Sequence, residues 1–246
     1  MAVLQHNFSR PRPGAEFLAG ARDTLPLIVG AIPFGLIFGT LAQSSGLSWA
    51  ATLGMSIFVF AGSSQFIAVG LIAAGTALPI ILLTTLVVNL RHLLYSASLV
   101  PHIRQLPQHW KVAMAFWLTD ETFAVAIRRY SDPRPNPHKH WYYLGSALAM
   151  YGNWALCTWL GLAVGQMIPD AASWGLDFAM VATFIGMTVP YITTRPMVAT
   201  VVVAGAVGLL AHGLPNQLGL MVAALAGIAA GMGVERAGTA GASKRE

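Results

Sequence analysis

Between Thr24 and Val234 the sequence is a succession of apolar runs, most of them close to the length of a membrane crossing, separated by short polar stretches. A helix of about 20 predominantly apolar residues spans the hydrocarbon of a bilayer. Backbone N–H and C=O groups find no water there and must be satisfied inside the protein, which favours helices. Composition agrees, with 56% hydrophobic and 9% charged residues against about 25% charged in soluble domains. The predicted fold class is all-α, a polytopic membrane helix bundle.

The runs are 24–42, 49–74, 77–100, 112–127, 141–168, 172–189, 197–211 and 216–234, which gives eight crossings. The count becomes seven or nine if the run around Asp120 re-enters or the second run splits. The expected organisation is a cytoplasmic N-terminal arm over 1–23, a single transmembrane domain over 24–234 and a disordered cytoplasmic tail over 235–246.

The second run is interrupted at Phe60-Ala61-Gly62-Ser63-Ser64-Gln65-Phe66. A straight helix in lipid gains nothing from Gly62, Ser63, Ser64 and Gln65. Backbone that loosens at membrane depth survives where protein or a water-filled cavity satisfies it. The stretch therefore predicts a broken helix near Gly62–Gln65 whose free backbone groups face a charged solute. Its bland alternative is a small-residue packing face with Ser hydroxyls bonded to the preceding turn.

The third run carries Asn89, Arg91 and His92. An arginine in an apolar segment pairs, lines water or snorkels to headgroups. Asn89 and His92, three apart, share a helix face. The fourth run centres on Thr119-Asp120-Glu121-Thr122, and two adjacent carboxylates there must face protein or water. Their candidate roles are binding an ammonium group, carrying a coupling proton or neutralising Arg91. Substrate-binding candidates are thus Gly62, Ser63, Ser64, Gln65, Asn89, Arg91 and His92, with Asp120 and Glu121 for proton coupling or ammonium binding.

Basic residues crowd the loop with Arg128, Arg129, Arg134 and Lys139, the strongest positive-inside signal. With eight crossings and the amino terminus inside, only Arg104 and Lys111 fall outside, and both termini are cytoplasmic. These loop positions mark orientation, so nucleic acid binding is not expected. Cys157, the one cysteine, allows no intrachain disulfide or Cys-pair metal site. His138 and His140 have no convergent partner and read as solvated surface. A faint internal repeat pairs Gly35 and Gly39 with Gly161 and Gly165, Trp49 with Trp174, Met55 with Met180 and Gly62 with Gly186; four crossings per unit would make it a parallel repeat.

Four blocks carry a more specific signal: Pro33-Phe34-Gly35, Phe60 to Phe66, Asn89-Leu90-Arg91-His92 with Leu94-Tyr95, and Leu118 to Phe123. In these the chain resembles the AzlC family of branched-chain amino acid permeases. The resemblance implies an exporter of leucine, isoleucine and valine, often methionine, in a bacterial inner membrane, driven by the proton gradient. It also implies a partner, a small AzlD-type membrane subunit. The chain has no G-x-x-x-x-G-K-[ST] phosphate loop, and neither a cofactor nor a metal is expected.

Three classes compete on the residues alone. A carrier needs polar groups from several segments around one cavity. An intramembrane enzyme needs a nucleophile with a base; Ser63 or Ser64 with His92 imitates that pair without an orienting third group. A structural or sensory subunit would use polar residues only for packing, which Arg91 and the paired acids make costly. The carrier ranks first, with backbone N–H groups at Ser63–Gln65 and Arg91 taking a carboxylate, Asp120 or Glu121 the ammonium or a proton, and Met55, Phe60 and Phe66 the apolar tail.

Overall fold

In the computed structural model residues 12–165, 185, 189, 192–214 and 218–243 are described. All the regular structure among them is helical. The chain forms two compact units, one of Met1–Gly62 and Leu90–Pro169, the other of Ser63–Asn89 and Asp170–Glu246. Pro13–Ser44, Leu78–Ile103 and Lys139–Gly165 are long and apolar enough to cross a membrane, and Trp49–Val59, Gly62–Ala73 and Arg195–Leu210 are shorter apolar helices. The run 172–189 lies almost wholly outside the described residues.

In the first unit, α1 (Pro13–Ser44) opens with proline at its start, where no N–H is missed, and Glu16 in its first turn. It begins well before the apolar run at Thr24, so the expected N-terminal arm is helical from Pro13 on. Gly46, at φ 83°, ends it, and Ser48 caps α2 (Trp49–Gly54) by accepting from Ala51 N–H at 3.2 Å. A π-helical turn, Met55–Val59, follows. The C-terminal part of α4 (Leu78–Ile103), α5 (Gln108–Phe116), α6 (Asp120–Ser131) and α7 (Lys139–Gly165) complete the unit.

A seam of glycines holds α1 against α7. A Cβ on Gly20 would strike the Tyr142 carbonyl, one on Gly145 the Phe17 carbonyl, one on Gly39 the Thr158 carbonyl and one on Gly161 the Leu36 carbonyl. Backbones this close gain dispersion contacts along the whole length. Gly35 meets Cys157 and Gly165 meets Thr40. Partner numbers rise together along both helices, so they run parallel. Thr24 donates to Ser146 Oγ at 2.7 Å, and Thr40 to the Gly161 carbonyl at 3.1 Å, so the hydroxyls on the seam are satisfied. Gly35, Gly39, Gly161 and Gly165, paired in the sequence repeat, all lie on this seam. Trp174, Met180 and Gly186 lie outside the described residues.

A second core joins α4, α5, α6 and α7 through Leu99, Met114, Leu118, Ala126, Tyr143 and Ala147. Tyr143, fully buried, donates its hydroxyl to the Met114 carbonyl at 2.6 Å.

The other unit holds α3 (Gly62–Ala73) from Ser63 onward, the start of α4, α8 (Arg195–Leu210) and α9 (Leu218–Ser243). Thr194 caps α8 and Pro196 occupies its first turn, where a missing N–H costs nothing. Gly227 meets Ala204, and Gly231 meets Thr200, where α8 and α9 pack. Helix α9 continues to Ser243, where the sequence predicts a disordered tail from 235. Large apolar side chains such as Leu93 (67% exposed) and Leu210 (87%) stand on the surface. In water this would be a liability; in a bilayer it is the lipid-facing coat.

Candidate functional site

The fourth apolar run is not one helix. Helix α5 ends at Phe116, and α6 begins at Asp120. Thr119 makes the new start, its hydroxyl accepting from Thr122 N–H at 3.2 Å. That places Asp120 and Glu121 in the first turn of α6, where the helix dipole and free N–H groups favour negative charge. The adjacent carboxylates thus have a local structural reason as well as a chemical use.

Arg91 of α4 reaches this helix start, with Nη2 3.1 Å from Asp120 Oδ2. Tyr95, one turn along the same face of α4, donates to the other oxygen, Oδ1, at 2.7 Å. Its ring stacks on Phe123 with centroids 4.4 Å apart, and the His92 ring meets it edge-on at 5.9 Å. About a quarter of each side chain of the ion pair remains accessible. Glu121, half-buried beside it, makes no ion pair among the described residues. The arrangement is a neutralised but reachable charge pair with a second carboxylate left over.

The other interruption lies slightly earlier than Gly62. After the π-helical turn Phe60 takes a left-handed conformation, φ 43° and ψ 44°, unusual for a bulky residue. Gly62 to Gln65 then form the first turn of α3, and a first turn leaves N–H donors unused by the helix. Tyr151 of α7 braces the break, donating to the Ile57 carbonyl at 3.0 Å and taking the Phe60 ring edge-on at 4.8 Å. The Trp117 ring, in the gap between α5 and α6, is 6.1 Å from the same tyrosine. Tyr151 is thus a neighbour of both breaks. Trp117 Nε1 is buried with no acceptor among the described residues, a donor open to a ligand oxygen.

In the second unit Ser64 donates to Asn89 Oδ1 at 2.6 Å, and Ser64 and Gln65 are buried. Of the predicted residues, Arg91 pairs with Asp120 and His92 meets Tyr95 in the first unit, and Ser64 bonds Asn89 in the other. Tyr95, Trp117 and Tyr151 were not singled out as candidates. Tyr95 was detectable, four residues after Arg91 on one helix face; Trp117 and Tyr151 become visible only with the tertiary contacts.

The AzlC protein family profile matches residues 26–168. The chain belongs to the AzlC family. The AzlC match contains Arg91, Asp120, Glu121 and both helix breaks. Inner membrane protein YgaZ of Escherichia coli (strain K12) is 33% identical over 227 residues, 90% of this chain and 91% of that protein. An uncharacterized membrane protein of Archaeoglobus fulgidus is 32% identical over 90% of this chain and 95% of its own. The branched-chain amino acid transport protein AzlC of Bacillus subtilis (strain 168) is 29% identical over 75% of this chain and 71% of that protein. No solved structure matches. AzlC is a family of transport proteins rather than enzymes, and this AzlC chain is a membrane protein.

Proposed function

We propose that the protein is a secondary carrier exporting leucine, isoleucine and valine, with methionine as a further substrate, across a bacterial inner membrane. It is proton-coupled, works with a small AzlD-type membrane subunit, and keeps both termini cytoplasmic. The Bacillus relative's name supports the substrate class. The observation that carries the mechanism is the Arg91–Asp120 pair, 3.1 Å apart and partly accessible.

An amino acid zwitterion carries one charge of each sign. Its carboxylate replaces Asp120 on the guanidinium fork, and its ammonium takes the freed Asp120 oxygens, so one ion pair becomes two without a net charge being buried. Tyr95 keeps Asp120 oriented through the exchange. Glu121, outside the pair, is the proton carrier. Trp117 Nε1 is a further donor for the carboxylate. Gly62, Ser63, Ser64, Gln65, Asn89 and His92 remain substrate-binding proposals, each tested through its own variant.

The deciding experiment uses proteoliposomes with labelled isoleucine and an imposed pH gradient. Wild type moves isoleucine in response to the gradient; Asp120→Asn loses transport, whereas Glu121→Gln keeps exchange at equal pH but loses the response. Full pH-driven transport by both variants would remove the carboxylates from the mechanism. Adding the partner subunit tests its role separately.

A further inference from the structure

The end of α4 and the helix after it enclose a groove that the proposed carrier chemistry does not use. Leu99, Val100 and Ile103 form one wall and Met114, Ala115 and Leu118 the other, around a cavity of about 310 Å³. From Ser96 at one end to Ile103 at the other the groove is about 10 Å long by helical rise. Arg104 and Lys111 both line the Ile103 end, where the Lys111 ammonium donates to the Arg104 carbonyl at 2.9 Å. That ammonium keeps donors in reserve, and neither cation makes an ion pair among the described residues.

We propose that this groove binds an anionic phospholipid, with an acyl chain along its apolar walls and the phosphate on Arg104 and Lys111. Three observations select this occupant. Helix α4 is long and apolar enough to cross a membrane, so its end with the two cations sits at headgroup depth. The half-exposed Val100 and the outward Leu93 and Leu94 make the flank of α4 a lipid-facing surface. Two unpaired cations favour a net negative headgroup over a zwitterionic one.

The test takes the purified full chain, stripped of lipid in detergent, and titrates it with phosphatidylglycerol or phosphatidylcholine of identical acyl chains, counting bound lipid by native mass spectrometry. A phosphatidylglycerol with a photoactivatable acyl chain maps the site. The expected result is a preference for phosphatidylglycerol on the order of tenfold, with crosslinks in 96–103 or 111–118. A variant carrying Arg104→Gln and Lys111→Gln loses the preference, Lys111→Arg retains it, and Ala115→Phe loses the crosslinks by filling the groove. Equal preference in the double variant, crosslinks elsewhere, full competition by inorganic phosphate, or a partner subunit captured through Ala115→Cys would each overturn the proposal. None of these readouts depends on transport.

Discussion

The carboxylate of Glu16, in the first turn of α1, is buried and grips Arg129 near the end of α6, with Arg129 Nε donating to Oε2 at 3.1 Å and Nη2 to Oε1. The guanidinium also lies 5.4 Å from the Tyr142 ring centroid, and Tyr142 in turn donates to Asp23 at 2.7 Å. Removing Arg129 strands the buried Glu16 charge, at a cost of about 3 kcal/mol, the low end for buried pairs because Arg129 itself is partly exposed. Arg129→Gln should therefore lower the thermal midpoint in detergent sharply, and adding Glu16→Gln should restore most of the loss. A double variant no better than Arg129→Gln would contradict this.

The glycine seam makes a sharper prediction from a smaller change. Gly39→Ala or Gly161→Ala puts a methyl group against a facing carbonyl, and overpacking of this kind costs about 1–3 kcal/mol. Gly152→Ala, with nothing near its added Cβ, should be neutral or slightly stabilising, since alanine is the better helix former. Unfolding midpoints of the three variants, measured side by side, decide it.

Tyr95→Phe removes the hydroxyl that holds Asp120 while leaving the stack on Phe123. A hydrogen bond to a charged group contributes about 1.5–3 kcal/mol. Isoleucine transport by Tyr95→Phe should fall about tenfold or more, and the response to a pH gradient should persist because Glu121 is untouched. Unchanged transport would mean that Asp120 needs no second support.

In the α6–α7 loop Arg134 surrounds Asp132, with Nε 3.0 Å from both carboxylate oxygens. Those side-chain hydrogen bonds hold the Asp132 carboxyl well below the usual carboxylate range. A depressed folded-state pKa gives stabilisation that is present above the unfolded value of about 3.9 and is lost only as pH falls through the lower folded one. The carboxyl carbon of Asp132, followed by NMR, should stay at its ionised position as pH is lowered through about 3.9. Half-protonation at or above that pH would show that the pair does not form in solution.

Much of this was legible along the chain because membrane solvent imposes a simple code. Apolar runs marked the helices, and small polar residues inside one of them marked the break near Gly62. Arg91 and Asp120 announced themselves by their cost in lipid. The sequence placed the break at Gly62 to Gln65, while the turn itself is made by Phe60 in a left-handed conformation, a choice that phenylalanine conceals. The single run 112–127 hid a second break because Trp117 and Leu118 are as apolar as a helix interior, and only the capping pattern of Thr119 betrays it. Glu16 read as part of a polar arm, since its partner lies far along the chain and nothing local points to Arg129. Tyr151 and Trp117 were hidden for the same reason.

Tyr151 holds a carbonyl of one helix break and touches the rings beside both, so a single side chain serves as the common post for two joints. Phe60, where the first break turns, and Trp117, three residues before Asp120, therefore share one neighbour.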